Sequence, residues 1–374
     1  MIYFDNAATT GKKPENVIKA VMEALQKHSI NPGRSGYRES INTAEEIYKV
    51  REKVASFFNC NEPQNVVFTP NCTQSINYVL KGVLNYGDHV VVSSLEHNAV
   101  MRPLLKKRNS YTVANVSSDD NVTVENFKKS IKPNTKLVFC TAASNVNGKI
   151  LPLKKIGRIC REKGVLFGVD AAQLAGVCKI DVKEMNIDFL CVAAHKGFYA
   201  PMGIGVLICE KNIPNTVIEG GTGTNSLEMS QPLQLPEKLE SGTVNVPAIF
   251  GLSAGIDFVN KTGIEKIYNH EMELIQYIYK NLSFNPYVIL YTPYPEKYDF
   301  APVLSFNLKG LKSNETGDFL AKKDIAVRAG YHCAPMAHKQ MNTLETGTVR
   351  ISVSAFNSLK ETDKFLYILN SQKK

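Results

Sequence analysis

The 374-residue sequence has no apolar run approaching the ~18 residues of a membrane-spanning helix, which sets aside a helical membrane protein. Its start, Met-Ile-Tyr-Phe-Asp-Asn, has neither a basic segment nor a long apolar stretch. No secretory leader is therefore read, and a cytoplasmic location is expected. The eight cysteines form no Cys-x-x-Cys pair. Cys60, Cys72, Cys140, Cys160, Cys178, Cys191, Cys209 and Cys333 are scattered, several of them in apolar runs. That usage suits a reducing compartment and argues against a disulfide framework or a zinc site, so no metal is expected. The formal charge is +9, yet no block of about five or six like charges occurs. A nucleic-acid surface would need such clustering, so neither nucleic acid nor membrane is an expected partner. There is no internal repeat and no low-complexity tract.

What is present is an ordinary globular composition, 44% hydrophobic and 21% charged, with enough chain for a large core in two domains. A helical pattern starts at Pro14, and another runs from Ala44 to Phe58. From Val66 the chain reads strand, turn, helix, repeatedly. Strands are expected at Val66–Thr69, Val90–Ser93, Val113–Val116, Leu137–Ala142, Val165–Asp170, Phe189–Ala194 and Gly203–Cys209. Apolar strands alternating with helices predict an α/β fold with a mostly parallel sheet covered on both faces. Beyond Glu240-Ser241-Gly242-Thr243-Val244-Asn245 the pattern changes to that of a smaller α+β unit, with helices at 247–260, 264–282 and near 315–323, and strands at Val303–Leu308 and Val327–Ala329. The expected division is a large domain at 14–255 and a small one built from 1–13 and 256–374.

Ligands of such sheets bind beyond the carboxyl ends of the strands. Polar residues stand at those ends: Thr73, Gln74, His97, Asn145, Asp170, Gln173, His195 and Lys196. Lys196 follows the buried run Phe189–Ala194. A lysine there must be paired or lose its charge, and a lysine with a lowered pKa can condense with a carbonyl cofactor. Pyridoxal 5'-phosphate would use the neighbours. Asp170 suits its ring nitrogen, His97 its ring face and Gln173 its phenolic oxygen. Thr73, Gln74 and His195 suit its phosphate at a helix start. Arg350, on an apolar strand, suits a substrate carboxylate, and Arg34 sits in a Pro/Gly loop where it either faces a substrate or is simply solvated. Cys333 lies in a Gly/Pro loop beside His332, the setting of a cysteine that ionises and attacks.

These motifs, in this order, resemble the cysteine desulfurases of the class V aminotransferase family. The resemblance rests on Tyr3-Phe4-Asp5-Asn6-Ala7-Ala8, Thr73-Gln74-Ser75-Ile76-Asn77, Glu96-His97-Asn98, Ser144-Asn145-Val146-Asn147-Gly148, Val169-Asp170-Ala171-Ala172-Gln173, His195-Lys196, Ser241-Gly242-Thr243-Val244-Asn245 and Arg328-Ala329-Gly330-Tyr331-His332-Cys333-Ala334. The short connection from Cys333 to Arg350 looks like group II of the family, with the SUF-type desulfurases and selenocysteine lyases.

The resemblance implies a fold-type I pyridoxal-phosphate enzyme acting as a homodimer on L-cysteine or selenocysteine. Lys196 would be the Schiff-base lysine and proton-moving base, and His97 would stack on the ring. Asp170, Gln173, Thr73 and His195 would hold the cofactor, with Thr243 reaching in from the partner subunit. Asn145 and Arg350 would hold the substrate carboxylate. Cys333 would take the sulfur as a persulfide, release alanine and pass the sulfur to an acceptor protein, as in iron–sulfur cluster assembly. Two positions depart from the family pattern. Ala193 replaces a serine that usually contacts phosphate, and Tyr37 stands where many relatives have a histidine. Another pyridoxal-phosphate lyase or aminotransferase of the same fold remains open, as does a scaffold that kept the fold without the chemistry.

Overall fold

A computed structural model describes residues 1–33, 35–224 and 226–371. The chain opens with β1 (Ile2–Tyr3), α1 (Glu15–Lys27) and α2 (Arg38–Phe58). Helix α2 begins a turn and a half before the apolar pattern at Ala44. Its first turn carries Glu39, a favourable charge at a helix N-terminus, and it ends at Asn59 in the left-handed conformation, φ 56°. The alternation then follows as β2 (Val66–Thr69), α3 (Cys72–Val83), β3 (His89–Ser93), α4 (Asn98–Lys107), β4 (Ser110–Ala114), α5 (Asp120–Ser130), β5 (Thr135–Thr141), α6 (Leu153–Glu162), β6 (Leu166–Asp170), β7 (Phe189–Ala193) and β8 (Gly205–Cys209).

These strands form a seven-stranded sheet in the order β2-β8-β7-β6-β5-β3-β4. The pairs β3/β4, β3/β5, β5/β6 and β6/β7 are parallel. Strand β8 is the exception, antiparallel to both β7 and β2. The cause is the connection. Ala194–Ile204 is too short for a crossover, and parallel neighbours need a dozen or more residues. That same short loop carries Lys196. Successive strand residues alternate between two cores: Val138, Cys140, Phe167, Val169, Leu190 and Val192 pack on one face. Leu137, Phe139, Phe189 and Cys191 pack on the other.

Residues 210–245 contain no helix or strand among the described residues, and Leu227, Met229 and Leu233 there are exposed. Beyond them come α7 (Val246–Thr262), α8 (Ile264–Ser283), β9 (Val288–Leu290), β10 (Val303–Leu308), α9 (Ser313–Ala321), β11 (Ile325–Ala326), β12 (Arg328–Gly330), α10 (Pro335–Gln340), β13 (Thr348–Ser352) and α11 (Leu359–Asn370). An antiparallel sheet of order β12-β13-β10-β9 forms here. The strand expected at Val327–Ala329 is two short strands, because β11 pairs in parallel with β1 while β12 pairs with β13. The N-terminus is tied to the second sheet by the bridge between Asp5 and Ser352. No described helix is long and apolar enough to cross a membrane.

Candidate active site

The carboxyl ends of β5, β6 and β7 and the starts of α3 and α4 surround one cleft of about 110 Å³. Its walls include Thr73, His97, Asn145, Asp170, Gln173, His195 and Lys196, so the topology brings together seven of the strand-end residues singled out by sequence. Gln74 is not among them. It lies one position further along α3, and its side chain donates to the Tyr78 hydroxyl at 2.7 Å, so its amide is committed to the helix surface.

Lys196 sits in the β7–β8 loop, where its N–H donates to Ala193 O at 3.2 Å and its carbonyl accepts from the Tyr199 N–H at 2.9 Å. A Cβ on the next residue, Gly197, would lie 2.2 Å from the Ala175 carbonyl oxygen, so only glycine lets the loop pack this closely. The preceding peptide is clamped as well. His195 O accepts from Thr10 N at 3.2 Å, Thr9 Oγ1 at 3.2 Å, Thr10 Oγ1 at 3.0 Å and Lys13 Nζ at 3.3 Å. Burial lowers the Lys196 pKa below the ordinary lysine value, and Arg350 and Arg328 push the same way, while Asp170 opposes them. The result is an amine whose neutral form is accessible, as a nucleophile or base requires.

Asp170 ends β6. Its Oδ1 accepts from the Ala172 N–H at 2.9 Å and from the Cys72 thiol at 3.5 Å. His97 is the N-cap of α4, with Nδ1 accepting from the Ala99 N–H at 3.0 Å. That bond leaves the proton of the neutral ring on Nε2, and burial keeps the ring neutral by lowering its pKa. Gln173 donates to Ala7 O at 3.0 Å, so the N-terminal segment forms one wall of the site. His195 is pushed down to about 4, first by burial and then by Lys196 and Lys13, and its buried Nδ1 has no partner among the described residues.

Arg350 is buried on β13. Its Nη2 pairs with Asp5 Oδ1 at 2.7 Å, its Nη1 donates to Asn145 O at 2.9 Å, and its Nε is buried without a partner among the described residues. Asn145 in turn donates to the His332 carbonyl at 2.7 Å. Sequence reasoning paired Arg350 with nothing. Its partner Asp5 is 345 residues away in the chain, and no local pattern announces it. Glu96 was missed too, although it precedes His97. It is fully buried, accepts from the Ser93 hydroxyl and from the Thr141 N–H at 2.8 Å, and is pushed up to about 8 by desolvation.

Cys333 is exposed, the one cysteine so placed. It and His332 adopt left-handed backbone conformations, φ 55° and 49°. It opens onto a groove of about 310 Å³ shared with Thr73 and His97, which also line the cleft. His332 does not act as its cationic neighbour. The ring is buried, Nε2 bonds Thr348, and desolvation drives its pKa to about 2, so it stays neutral. Thr243 lies apart, exposed on the rim of a hollow lined also by Asn31 and Arg51. Arg34 lies outside the described residues.

The donor set fits pyridoxal phosphate. The cleft offers a carboxylate at Asp170 for a ring nitrogen, the N-terminus of α3 and the unpartnered His195 nitrogen for an anion, and a partly desolvated amine at Lys196. Ala193, also in the wall, contributes no hydroxyl.

The aminotransferase class-V family model matches residues 2–365. A probable cysteine desulfurase of Methanothermobacter thermautotrophicus is 33% identical over 96% of this chain and 92% of its own. One of Pyrococcus abyssi is 34% identical over 99% and 93%. The apo structure of the cysteine desulfurase from Thermococcus onnurineus superposes with a TM-score of 0.89 at 32% identity, covering 99% of this chain and 94% of that one. With its cleft, its exposed cysteine and these relatives along nearly its whole length, the chain belongs to the class V aminotransferase family, among the cysteine desulfurases.

Proposed function

We propose that the protein is a pyridoxal-phosphate-dependent cysteine desulfurase, group II in type, that moves the sulfur of L-cysteine to Cys333 and releases L-alanine. The observation that carries this reading is the meeting of Lys196 and Asp170 in one cleft, with exposed Cys333 in the groove that adjoins it. Lys196, Asp170, His97, Gln173, Thr73 and His195 would hold the cofactor, which supplies an electron sink for bond cleavage next to the amino-acid α-carbon. Lys196 is the group that moves protons, its pKa lowered by burial. Asp170 presents its carboxyl group at the end of β6, and His97 presents a neutral ring. Arg350 and Asn145, already bonded to each other, stand where a substrate carboxylate would be held. The Cys333 thiolate attacks the substrate sulfur. A new S–S bond forms, the C–S bond breaks with its electron pair left on carbon, and a proton completes alanine.

The division at 14–255 against 1–13 and 256–374 fits this use, with the lysine on the larger part and the cysteine on the smaller. A homodimer in which Thr243 serves the partner's phosphate site accounts for its place away from its own cleft, and an acceptor protein takes the sulfur in turn. The deciding experiment incubates the protein and cofactor with L-cysteine and measures alanine and sulfide, while borohydride fixes the cofactor to the protein for peptide mapping. Alanine formed in step with released sulfur, and fixation on Lys196, support the reading. Absence of alanine, or fixation elsewhere, overturns it.

A further inference from the structure

Cys72 stands in the wall of the cofactor cleft with Asp170 and Lys196, and no step of the proposed reaction uses it. It is the first residue of α3, the helix start that would hold the cofactor phosphate. Its place there is fixed. Asn71 caps the helix by accepting from the Gln74 N–H at 2.9 Å. A Cβ on Gly205 of β8 would lie 2.8 Å from the Cys72 nitrogen, so the sheet packs directly against this turn. The side chain is 7% exposed, and its thiol donates to Asp170 Oδ1 at 3.5 Å, across 98 residues of chain.

Asp170 Oδ1 also accepts from the Ala172 N–H, so one oxygen takes both donors that reach this carboxyl. No group among the described residues donates to Oδ2. A carboxyl held by two donors on one oxygen loses its rotation, and the other oxygen is left for a ligand in the cleft. The thiol is a weak donor. It orients the carboxyl while drawing off little charge, where a strong donor would compete with the ligand. We propose that Cys72 is the positioning residue of Asp170: its thiol, reaching over from the start of α3, holds the carboxyl so that Oδ2 is presented to the ring nitrogen of pyridoxal phosphate. One residue thereby ties the phosphate end of the cleft to the carboxyl that meets the ring. Cys72 acts through Asp170 and takes no part in sulfur transfer. The role rests on the reading that Asp170 meets the ring nitrogen.

The electrostatics agree with a thiol that keeps its proton and so remains a donor. Burial pushes Cys72 well above the ordinary thiol value, Asp170 and Cys191 add to that push, and Lys196 opposes it. Cys72 is in turn among the groups that act on Lys196, so the three side chains sense one another across the cleft.

The test titrates cofactor-free protein with pyridoxal 5'-phosphate and with its deaza analogue, in which a C–H replaces the ring nitrogen, and reads both dissociation constants. Cys72→Ala weakens pyridoxal phosphate binding about 3- to 10-fold, the scale of one hydrogen bond, and leaves the analogue unchanged. Cys72→Ser keeps a donor and stays nearer the native value. If Cys72→Ala does not fold, Cys72→Val, which fills the space without a donor, carries the same comparison. With Asp170→Asn already in place, loss of the thiol no longer discriminates between the two ligands. A second readout needs no cofactor. Asp170→Asn speeds alkylation of Cys72 several-fold above about pH 8, read by peptide mass spectrometry, because the charge that discourages the thiolate has gone. Equal weakening of both ligands, weakening of neither, or Cys72 alkylation indifferent to Asp170 overturns the proposal. Native affinity of Asp170→Asn for pyridoxal phosphate overturns the underlying reading with it, whereas native affinity of Cys72→Ala beside a weakened Asp170→Asn overturns the proposal alone.

Discussion

The backbone N–H of Asn98 donates to the carbonyl oxygen of Cys333 at 2.7 Å. Asn98 directly follows His97 and opens α4, so the turn that sets the His97 ring also holds the cysteine loop. From the other side Asn145 holds His332, and Arg350 holds Asn145. The nucleophile's loop is therefore tied both to the wall of the cofactor cleft and to the residues proposed to hold the substrate carboxylate. Cys333 is exposed, but its backbone is fixed at two points.

Asn98→Pro isolates one of those points. Proline is favoured at the first position of a helix, and His97, at φ −74° and ψ 156°, already has the backbone that precedes proline comfortably. The substitution deletes one N–H and puts a ring carbon where the Cys333 carbonyl now sits. Stability should fall by about 1 kcal/mol, the worth of one hydrogen bond. Sulfur transfer to Cys333 should slow much more, with borohydride fixation on Lys196 unchanged. Native persulfide yield in this variant would show that the bond does not position the loop.

Asp5→Asn tests the ion pair with Arg350. Arg350 is 2% exposed, and Asp5 is its carboxylate partner at 2.7 Å. Removing one member of a buried pair leaves the other charge uncompensated, which costs about 3–5 kcal/mol when burial is complete. Asp5 is 20% exposed, so a loss of about 1–3 kcal/mol in chemical denaturation is expected. The apparent affinity for cysteine should weaken as Arg350 reorients. A stability within error of the native protein would mean that solvent already compensates Arg350.

The chain announced much of this site. Apolar runs ending in His97, Asp170 and His195-Lys196 were readable because parallel strands put their polar ends on one edge. Three features were not readable, for different reasons. The direction of β8 depends on the length of the Ala194–Ile204 connection rather than on its own apolar run, which looks the same in either direction. The Asp5–Arg350 pair joins the two ends of the chain. Glu271 lies within an ordinary amphipathic helix, and only packing shows that its carboxyl is buried against the Tyr199 hydroxyl. Gln74 stands one step along α3 from Thr73, which turns it about 100° away from its neighbour, and its side chain bonds Tyr78.

Glu96→Gln makes a prediction about pH. The folded protein holds the Glu96 proton up to about 8, well above the ordinary value of 4.5. Between those two values the folded state binds more protons at this site than the unfolded chain, so this group makes stability fall as pH rises, by up to about 1.4 kcal/mol per pH unit. Glutamine keeps an acceptor for the Thr141 N–H and cannot ionise. Denaturation midpoints of the variant should therefore decline less between pH 5 and pH 8 than those of the native protein. Parallel slopes would show that Glu96 is not held protonated.

Asp170→Asn removes a charge and little volume. The amide still accepts from the Ala172 N–H, so the β6 end should keep its shape. Cofactor should remain fixable to Lys196, while alanine formation falls on the order of 100-fold or more, the usual scale for losing a preorganised charge at a reacting centre. Lys196 should also lose its proton at lower pH, because Asp170 is the charge that raises its pKa against burial. Retention of most of the native rate would remove Asp170 from the mechanism.

Cys333→Ala separates the two halves of the site. Cys333 is absent from the wall of the cleft that holds Lys196 and Asp170, and it lies instead in the adjoining groove. Its replacement should leave cofactor binding, borohydride fixation and cysteine binding intact. The other cysteines are poor substitutes. Cys72, Cys140 and Cys191 are buried and pushed well above their ordinary thiol value, and burial pushes Cys60 and Cys178 up to about 12. A thiol that stays protonated does not attack sulfur. Mass spectrometry after incubation with cysteine should therefore find added sulfur on the Cys333 peptide of the native protein and on no peptide of the variant, and sulfur release from cysteine should fall steeply. Selenocysteine offers a contrast, since selenium leaves carbon more readily and depends less on being attacked, so the variant should keep more of that activity. Added sulfur on any other cysteine, or full activity toward L-cysteine without Cys333, would assign the sulfur to a different acceptor and reduce the cysteine loop to a structural element.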